Sequence, residues 1–123
     1  MSKMIEIIKP NFTFSDERGD FNELCQDGWK QVNVSSSKKG SFRGGHYHKK
    51  SKEAFFIIDG AFDLTLENDN GVEEYTFKKG DFFVVYPYVS HSFDFKEDTL
   101  MVALYDIPVV KSDGTKDIHD RGK

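Results

Sequence analysis

The stretch that decides the fold runs from Gly40 to Gly60 and reads GSFRGGHYHKKSKEAFFIIDG. It begins with a glycine-rich segment, carries two histidines separated by one tyrosine, and ends in a nearly continuous apolar run within Glu53–Asp59. Because side chains alternate between the two faces of a strand, His46 and His48 are expected on the same face. The apolar run is typical of a buried strand. The sequence therefore predicts two successive extended segments, the first with two imidazoles and the second beginning with a carboxylate.

Short runs with a period of two surround this stretch and predict further strands. They are separated by turn signals, of which Asp59-Gly60 and Asn70-Gly71 are the strongest, because Gly and Asn tolerate positive φ. The predicted strands are Met4–Lys9, Asp20–Cys25, Trp29–Val34, Glu53–Asp59, Ala61–Leu66, Val72–Phe77, Phe82–Tyr86, His91–Phe95 and Leu100–Asp106, with residues 40–45 as a turn region. Many short strands at regular spacing indicate an all-β sandwich or a closed barrel.

Length and composition indicate one compact domain. The chain has 123 residues, and its 12 Phe and 5 Tyr can supply a substantial aromatic core. Residues 1–110 are predicted as the domain, and the polar residues 111–123 as a loose tail in which His119 is solvated.

Charge and cysteine content exclude several classes of function. A formal net charge of −4 argues against binding to nucleic acid, which needs a basic face. No apolar run approaches the ~20 residues of a membrane-spanning helix, so no membrane partner is expected. Cys25 is the only cysteine, so the fold has no disulfide framework and a reducing cytoplasm is the expected compartment.

Four residues form the candidate site. His46 and His48 precede Glu53 at the start of the next strand, and His91 follows the Pro87 turn. Three imidazoles and one carboxylate suit a divalent Zn, Fe, Mn, Ni or Co ion, with no organic cofactor. Only a concave surface such as the inside of a barrel could gather all four around one ion.

The quoted stretch resembles the first sequence motif of the cupins, and the stretch Gly80-Asp-Phe-Phe-Val-Val-Tyr-Pro-Tyr-Val-Ser-His91 resembles the second. This resemblance implies a single-domain cupin, that is, a double-stranded β-helix or jelly-roll barrel.

Further segments are similar to those of sugar-modifying cupins. Residues 16–21 (DERGDF), 31–37 (QVNVSSS) and 42–47 (FRGGHY) resemble the dTDP-4-dehydrorhamnose 3,5-epimerases, and residues 43–49 (RGGHYHK) also resemble the dTDP-sugar 3,4-ketoisomerases. Residues 46–55 resemble the metal-binding C-terminal cupin of bifunctional capsular-polysaccharide reductases. These resemblances imply proton transfer beside the ketone of a nucleotide-linked 4-keto-6-deoxy sugar, in the synthesis of a surface polysaccharide.

The resemblances also imply roles for individual residues. His46 is the first choice for the catalytic base and His48 for a second base or acid, since the unperturbed pKa of imidazole, about 6.5, is close to neutral. Arg43 is expected to bind the pyrophosphate or the sugar, because its guanidinium offers paired hydrogen bonds to anions. Gln31, Asn33 and Arg18 are the other candidates for substrate binding.

Several alternatives stay open at this point. An imidazole nitrogen that holds a metal cannot also remove a proton, so His46 and His48 are either ligands or bases in a given state. The ketoisomerases usually carry Gln where Glu53 stands, and the epimerases carry Gln where His48 stands, so both residues follow the metal-binding pattern. The rival functions are a metal-dependent oxygenase or lyase and a non-catalytic cupin that senses a sugar or a metal. A homodimer is expected from the relatives and from strand Met4–Lys9, which could pair with a partner's sheet.

Overall fold

The computed structural model describes residues 3–121 and contains strands but no helix in that range. Its strands are β1 (Ile5–Ile7), β2 (Phe12–Asp16), β3 (Gly19–Glu23), β4 (Gln31–Ser37), β5 (Phe42–Tyr47), β6 (Glu53–Asp59), β7 (Ala61–Asn68), β8 (Gly71–Lys78), β9 (Phe82–Val85), β10 (Ser90–Phe95), β11 (Thr99–Tyr105) and β12 (His119–Asp120). No helix suited to crossing a membrane is therefore present among these residues.

The strands form two five-stranded antiparallel sheets and one separate hairpin. The first sheet has the order β1-β9-β6-β11-β4, the second has the order β12-β5-β10-β7-β8, and β2 and β3 form the hairpin. Aromatic side chains join the two sheets: the ring centroids of Phe55 and Phe93 are 5.2 Å apart, and those of Phe62 and Phe83 are 6.3 Å apart. This is the predicted all-β jelly roll, and the prediction of the fold class is confirmed.

The alternation in β7 and the continuous apolar run in β6 have different structural causes. Phe62, Leu64 and Leu66 of β7 are fully buried between the sheets, so only one face of that strand is apolar. Strand β6 is covered on both faces. Phe55 and Ile57 face the interior, while Ala54 and Phe56 belong to a second apolar cluster on the outer side of the first sheet. Side chains of the segment between β3 and β4, with Leu24, Cys25 and Trp29 among them, cover this second cluster.

Two predictions of local structure need correction. Residues 40–45 were predicted as a turn region, but β5 begins at Phe42 and includes Gly44 and Gly45. Both glycines have positive φ, at 132° and 81°, and the strand accommodates them through an irregularity in its pairing with β10. Strand β2 was not predicted, because its polar and aromatic residues are almost all exposed and leave no clear burial pattern.

The described part of the segment 111–123 is polar but is not a loose tail. Asp117 is only 5% exposed, and β12 pairs with β5 through His119 opposite Tyr47 and Asp120 opposite His46. The prediction of a solvated His119 is wrong too, since this ring packs against Tyr47 and its Nε2 lies 3.1 Å from Asp117 Oδ1. Backbone amides of the barrel bind the Asp117 carboxylate, so a polar sequence can dock firmly. Residues 122 and 123 of the predicted tail, and residues 1 and 2 of the predicted domain, lie outside the described range.

Candidate active site

The four predicted site residues come together between the two sheets of the barrel. The ring centroid of His46 lies 4.8 Å from that of His91 and 5.8 Å from that of His48. Glu53 Oε1 lies 3.0 Å from His48 Nε2 and 3.4 Å from His91 Nε2. His48, Glu53 and His91 are buried, whereas His46 is half-buried and forms the accessible side of the group.

A β-bulge in β5 determines which residues share the inner face with these imidazoles. His91 pairs with His46, but the next residue of β10, Ser92, pairs with Gly44, so Gly45 is an extra residue in the strand. Beyond the bulge, Arg43 pairs with the buried Phe93. Paired residues of adjacent strands lie on the same face, so Arg43 and His46 both face inward although they are three residues apart.

His48 and His91 are held in the same way. His48 Nδ1 lies 2.6 Å from the carbonyl oxygen of Asp117, and His91 Nδ1 lies 3.3 Å from that of Val89. A carbonyl oxygen can only accept a hydrogen bond, so each Nδ1 carries a proton and each Nε2 is directed at Glu53. Within residues 3–121, His46 has no comparable hydrogen bond to its ring.

Burial and hydrogen bonds shift the pKa values of Glu53, His48 and His46 in different directions. Burial would raise the pKa of Glu53, but hydrogen bonds from His48 and His91 outweigh it and lower that pKa to about 2. Burial would likewise lower the pKa of His48, but its hydrogen bonds to Glu53 and Asp117 raise it. Burial, and then the neighbouring rings of His91 and His48, lower the pKa of His46. The site therefore combines a Glu53 carboxylate, a His48 ring whose pKa is raised and a His46 ring whose pKa is lowered, so His46 loses its proton more readily than His48 does.

Tyr105 is a fifth member of the group. Its ring meets the His48 ring edge-on at 5.6 Å, and it stands opposite Glu53 in the pairing of β11 with β6. Burial and then the Glu53 carboxylate raise the pKa of Tyr105, so its hydroxyl keeps its proton and can donate to that carboxylate.

The donor set fits a divalent metal ion. One nitrogen from each of His46, His48 and His91 lies within 4.8 Å of the others. Metal-binding imidazoles commonly donate their other ring N–H to a carbonyl oxygen, as His48 and His91 do here. The same contacts also suit a metal-free state in which a protonated His48 pairs with Glu53.

Three of the four predicted substrate-binding residues, Gln31, Asn33 and Arg43, lie on the inner faces of β4 and β5. These two strands do not pair with each other in the described range, and Asn33 and Arg43 are exposed at the gap between them, which is the open side of the barrel. Gln31 and Asn33 of β4 pair with Tyr105 and Ala103, which belong to the inner core, so both amides are on the inner face. Gln31 Nε2 lies 3.4 Å from Asn33 Oδ1, and the Gln31 Oε1 atom accepts a hydrogen bond from the Val109 amide. Arg43 donates from Nε to Ser37 Oγ at 2.8 Å, which extends its side chain toward β4.

Arg18 is not brought to the site in this chain. It lies in the turn of the β2–β3 hairpin, its side chain is 80% exposed, and its guanidinium binds Asp16. The same hairpin approaches the barrel at Lys79, whose ammonium lies 3.9 Å from Asp20. Lys79 is in the turn before β9, whereas Glu53 pairs with Val85 at the far end of β9. The substrate-binding role of Arg18 stays a prediction without support from the fold of one chain.

Comparison with known families agrees with this architecture. The family model described as the polysaccharide biosynthesis C-terminal domain matches residues 14–107. The chain belongs to this family. The match covers the strands from β3 to β11 together with all four residues of the histidine site. No curated protein matches the chain by sequence.

The solved structures similar to this family member include sugar-modifying enzymes. A sugar 3,4-ketoisomerase from Thermoanaerobacterium thermosaccharolyticum, in complex with TDP, has a TM-score of 0.78 and 19% identity, covering 97% of this chain and 89% of its own. A TDP-quinovose 3,4-ketoisomerase from Campylobacter jejuni has a TM-score of 0.76 and 14% identity over 92% of each chain. A dTDP-4-dehydrorhamnose 3,5-epimerase from Sulfolobus tokodaii has a TM-score of 0.70 and 24% identity, covering 82% and 69%.

Sequence reasoning missed Tyr105, Ser37 and Asp117. Tyr105 ends a run with a period of two, so the alternation of β11 could have indicated that it faces inward with Ala103. Ser37 could have been found in the same way from β4. Asp117 lies in a polar segment beyond the family match, and no local pattern there indicates its contacts.

Proposed function

We propose that this protein epimerises or isomerises a nucleotide-linked 4-keto-6-deoxy sugar by moving a proton beside the ketone, as a step in surface-polysaccharide synthesis. The observation that carries the proposal is that Arg43 and His46 lie on the same inner face. Arg43 supplies a cation that can bind a phosphate, and His46 supplies a neutral imidazole that can accept a proton. The family and the activities of the similar structures support it. A mutant of one of those ketoisomerases was solved in complex with TDP-4-keto-6-deoxyglucose.

His46 is proposed as the base. A sugar C–H beside C=O is acidic because the electron pair left on carbon delocalises onto the carbonyl oxygen as an enolate. The neutral imidazole accepts that proton, and the enolate then regains one on the opposite face of the same carbon or at the neighbouring carbon. The lowered pKa of His46 keeps its ring neutral at pH 7, and its partial exposure lets a sugar approach.

His48 is better suited to support than to direct proton transfer. It is buried, with one ring nitrogen bound to Asp117 and the other to Glu53. A sugar could reach His48 only by replacing one of these contacts. We therefore assign the second proton transfer to no residue. We propose that His48, Glu53 and His91 keep the His46 ring in position.

Arg43 is proposed to bind the pyrophosphate that joins nucleotide and sugar. Its Nε donates a hydrogen bond to Ser37 Oγ. Its Nη2 group donates a longer hydrogen bond, of 3.2 Å, to the Ser36 carbonyl oxygen, and an anion could take the place of that carbonyl. Gln31 and Asn33 on the opposite strand of the opening would bind sugar hydroxyls through their amides. Arg43→Ala should weaken the binding of a nucleotide sugar in calorimetry, and Lys78→Ala, which removes an exposed cation at the end of β8, should leave it unchanged.

Isotope exchange tests the reaction directly. The protein is incubated in D₂O with dTDP- and UDP-linked 4-keto sugars, and label beside the ketone is followed by NMR. Wild-type protein should incorporate deuterium and His46→Ala should not, whereas Tyr47→Phe, an adjacent change on the opposite face, should behave as wild type. Absence of label from every 4-keto sugar would end the proposal of an epimerase or isomerase, and in protein that binds no metal it would favour a sensing role.

A divalent metal at His46, His48, Glu53 and His91 is a second proposal, supported by the fixed Nδ1 contacts of His48 and His91. When bound, the metal would polarise a carbonyl oxygen as a Lewis acid. Elemental analysis and the exchange assay with and without chelator test it. Stoichiometric metal without exchange of any sugar would favour a metal-dependent oxygenase or lyase.

We also propose a homodimer in which a second copy covers the outer face of β4. Val32 and Val34 on that face are 61% and 65% exposed and continue the outer apolar cluster, and β4 is an open sheet edge. Strand β1, predicted to pair with a partner, pairs with β9 of its own chain. Light scattering should report a dimer that Val34→Lys dissociates and Val72→Lys, an exposed change on β8, does not.

A cytoplasmic location is proposed on the basis of the single cysteine. Cys25 is free and packs at the edge of the outer cluster, so the fold needs no oxidising compartment. Fractionation of cells that produce the protein tests this: appearance outside the cytoplasmic fraction would contradict it.

A further inference from the structure

The chain after the family match returns to the histidine site and docks on it. Val110 and Lys116 form a bridge around a tight turn, and the Asp117 amide donates to the Val109 carbonyl. The chain then runs along the free edge of β5 as β12. Beyond it, the Arg121 amide donates to the carbonyl oxygen of Gly45, the bulge residue.

Asp117 is the centre of this docking, and it uses both its side chain and its main chain. Its carboxylate accepts three backbone hydrogen bonds, from Lys49 at 2.9 Å, Lys50 at 2.9 Å and Ser51 at 3.2 Å. Its carbonyl oxygen accepts the 2.6 Å hydrogen bond from His48 Nδ1. Three consecutive amides around one carboxylate leave the loop little freedom.

The bound loop is the connection between two site residues. Residues 49–52 join His48, just after β5, to Glu53, the first residue of β6. The Asp117 carboxylate therefore fixes the path of the chain between His48 and Glu53. The Asp117 carbonyl oxygen fixes the His48 ring itself. Without an acceptor at Nδ1, the His48 proton could move to Nε2 or the ring could rotate about its bond to the chain.

We infer that Asp117 is a positioning residue of the active site, which sets the tautomer and orientation of His48 through its carbonyl oxygen and the His48–Glu53 spacing through its carboxylate. Within residues 3–121, Asp117 makes no hydrogen bond to Arg43, Gln31 or Asn33, so it acts on the site through His48 and the loop. The segment beyond residue 107, outside the family match, is thus part of the functional unit in this chain.

The first test needs only the wild-type protein and no substrate. The protein is labelled with ¹⁵N-histidine, and ring nitrogen shifts assign the proton positions of His48 at neutral pH. The inference expects a proton at Nδ1, whether Nε2 is protonated or holds a metal. A neutral His48 ring protonated only at Nε2 would overturn it.

The second test compares two matched variants. Asp117→Asn replaces one acceptor oxygen by an NH₂ group that faces backbone N–H donors, so the loop should loosen and the His48 ring shifts should broaden or move. Asp113→Asn removes charge from an exposed aspartate of the same segment, which binds Thr115 only, and should change nothing. Asp117→Glu, which restores the charge, should recover part of the wild-type spectrum. Asp117→Asn with wild-type His48 signals would overturn the inference.

A kinetic readout rests on the proposed function. Loss of a residue that orients a site group through a hydrogen bond typically costs 10- to 100-fold in activity or metal affinity. Asp117→Asn should lower kcat by about this factor and leave KM nearly unchanged, because Arg43 and β4 are unaffected. A rise in KM with kcat unchanged would overturn the positioning role. If the wild-type protein shows no exchange at all, the proposed reaction fails while the NMR tests still decide the role of Asp117.

Discussion

Replacing Gly44 by alanine tests how the bulge of β5 builds the site. A Cβ at this position would lie 2.5 Å from Ser92 Cα and would also collide with the carbonyl oxygen of His91, both parts of the β10 backbone. Gly44 has φ of +132°, a conformation that residues with a side chain rarely adopt. The substitution therefore combines backbone strain with a clash that no side-chain rotation relieves.

The size of the effect follows from these two costs. A strained φ costs about 1–3 kcal/mol, and overpacking against fixed atoms costs about 1–3 kcal/mol more. A loss on the order of 4 kcal/mol is a large part of the roughly 5–15 kcal/mol by which domains are stable. At about 3–5 °C per kcal/mol for a chain of this size, Tm should fall by roughly 10–20 °C.

Gly45 and Gly60 serve as matched controls. Gly45 also has positive φ, at 81°, but an added Cβ would meet no atom within 4 Å, so Gly45→Ala should cost only about 1–2 kcal/mol. Gly60→Ala would clash with the backbone of Asp98 and Thr99 at 2.6 Å, at the end of β6 opposite to Glu53, and should destabilise the fold as Gly44→Ala does. Thermal unfolding and urea titration measure all three.

The site provides the second readout. Relief of the Gly44 clash must move β5 from β10 and so separate His46 from His91, and a displacement of about 1 Å can cost 10²-fold in rate. Gly44→Ala should therefore lose metal affinity or exchange activity at temperatures where it is folded, while Gly60→Ala keeps them. Equal stability for Gly44→Ala and Gly45→Ala would refute the reasoning about the bulge.

Three further predictions follow from the same geometry. The pKa of Glu53 is lowered to about 2 in the folded chain, so its contribution to stability is complete above pH 4.5 and is lost as the pH falls toward 2. Glu53→Gln should therefore show a smaller change in Tm between pH 4.5 and pH 2 than the wild-type protein does. His46→Ala should reduce exchange by about 10²–10⁴-fold with little change in Tm, since the half-buried ring makes no hydrogen bond within residues 3–121, and a large loss of Tm would contradict this. Tyr105→Phe keeps the packing against His48 but removes the hydroxyl beside Glu53, so it should raise the pKa of Glu53 and shift acid unfolding to higher pH, measured by fluorescence.

Some of the site could be predicted from the sequence because it depends on short-range geometry. The single residue between His46 and His48 puts both rings on one face of an extended chain, and the four residues before Glu53 suffice for a connection to the next strand. The apolar run of β6 and the alternation of β7 indicated their burial in the same way. Each of these inferences uses only neighbours along the chain.

The sequence by itself thus determined the all-β class, most strand positions and the four members of the histidine site. Only the tertiary structure decided that Arg43 faces inward, because the bulge at Gly45 exists only in the register of β5 against β10. It also decided the contact of Asp117 with the His48 ring, which is 69 residues away along the chain. The physical reason is that side-chain direction within a strand follows from local covalent geometry, whereas the pairing of distant backbone groups depends on how the whole chain packs.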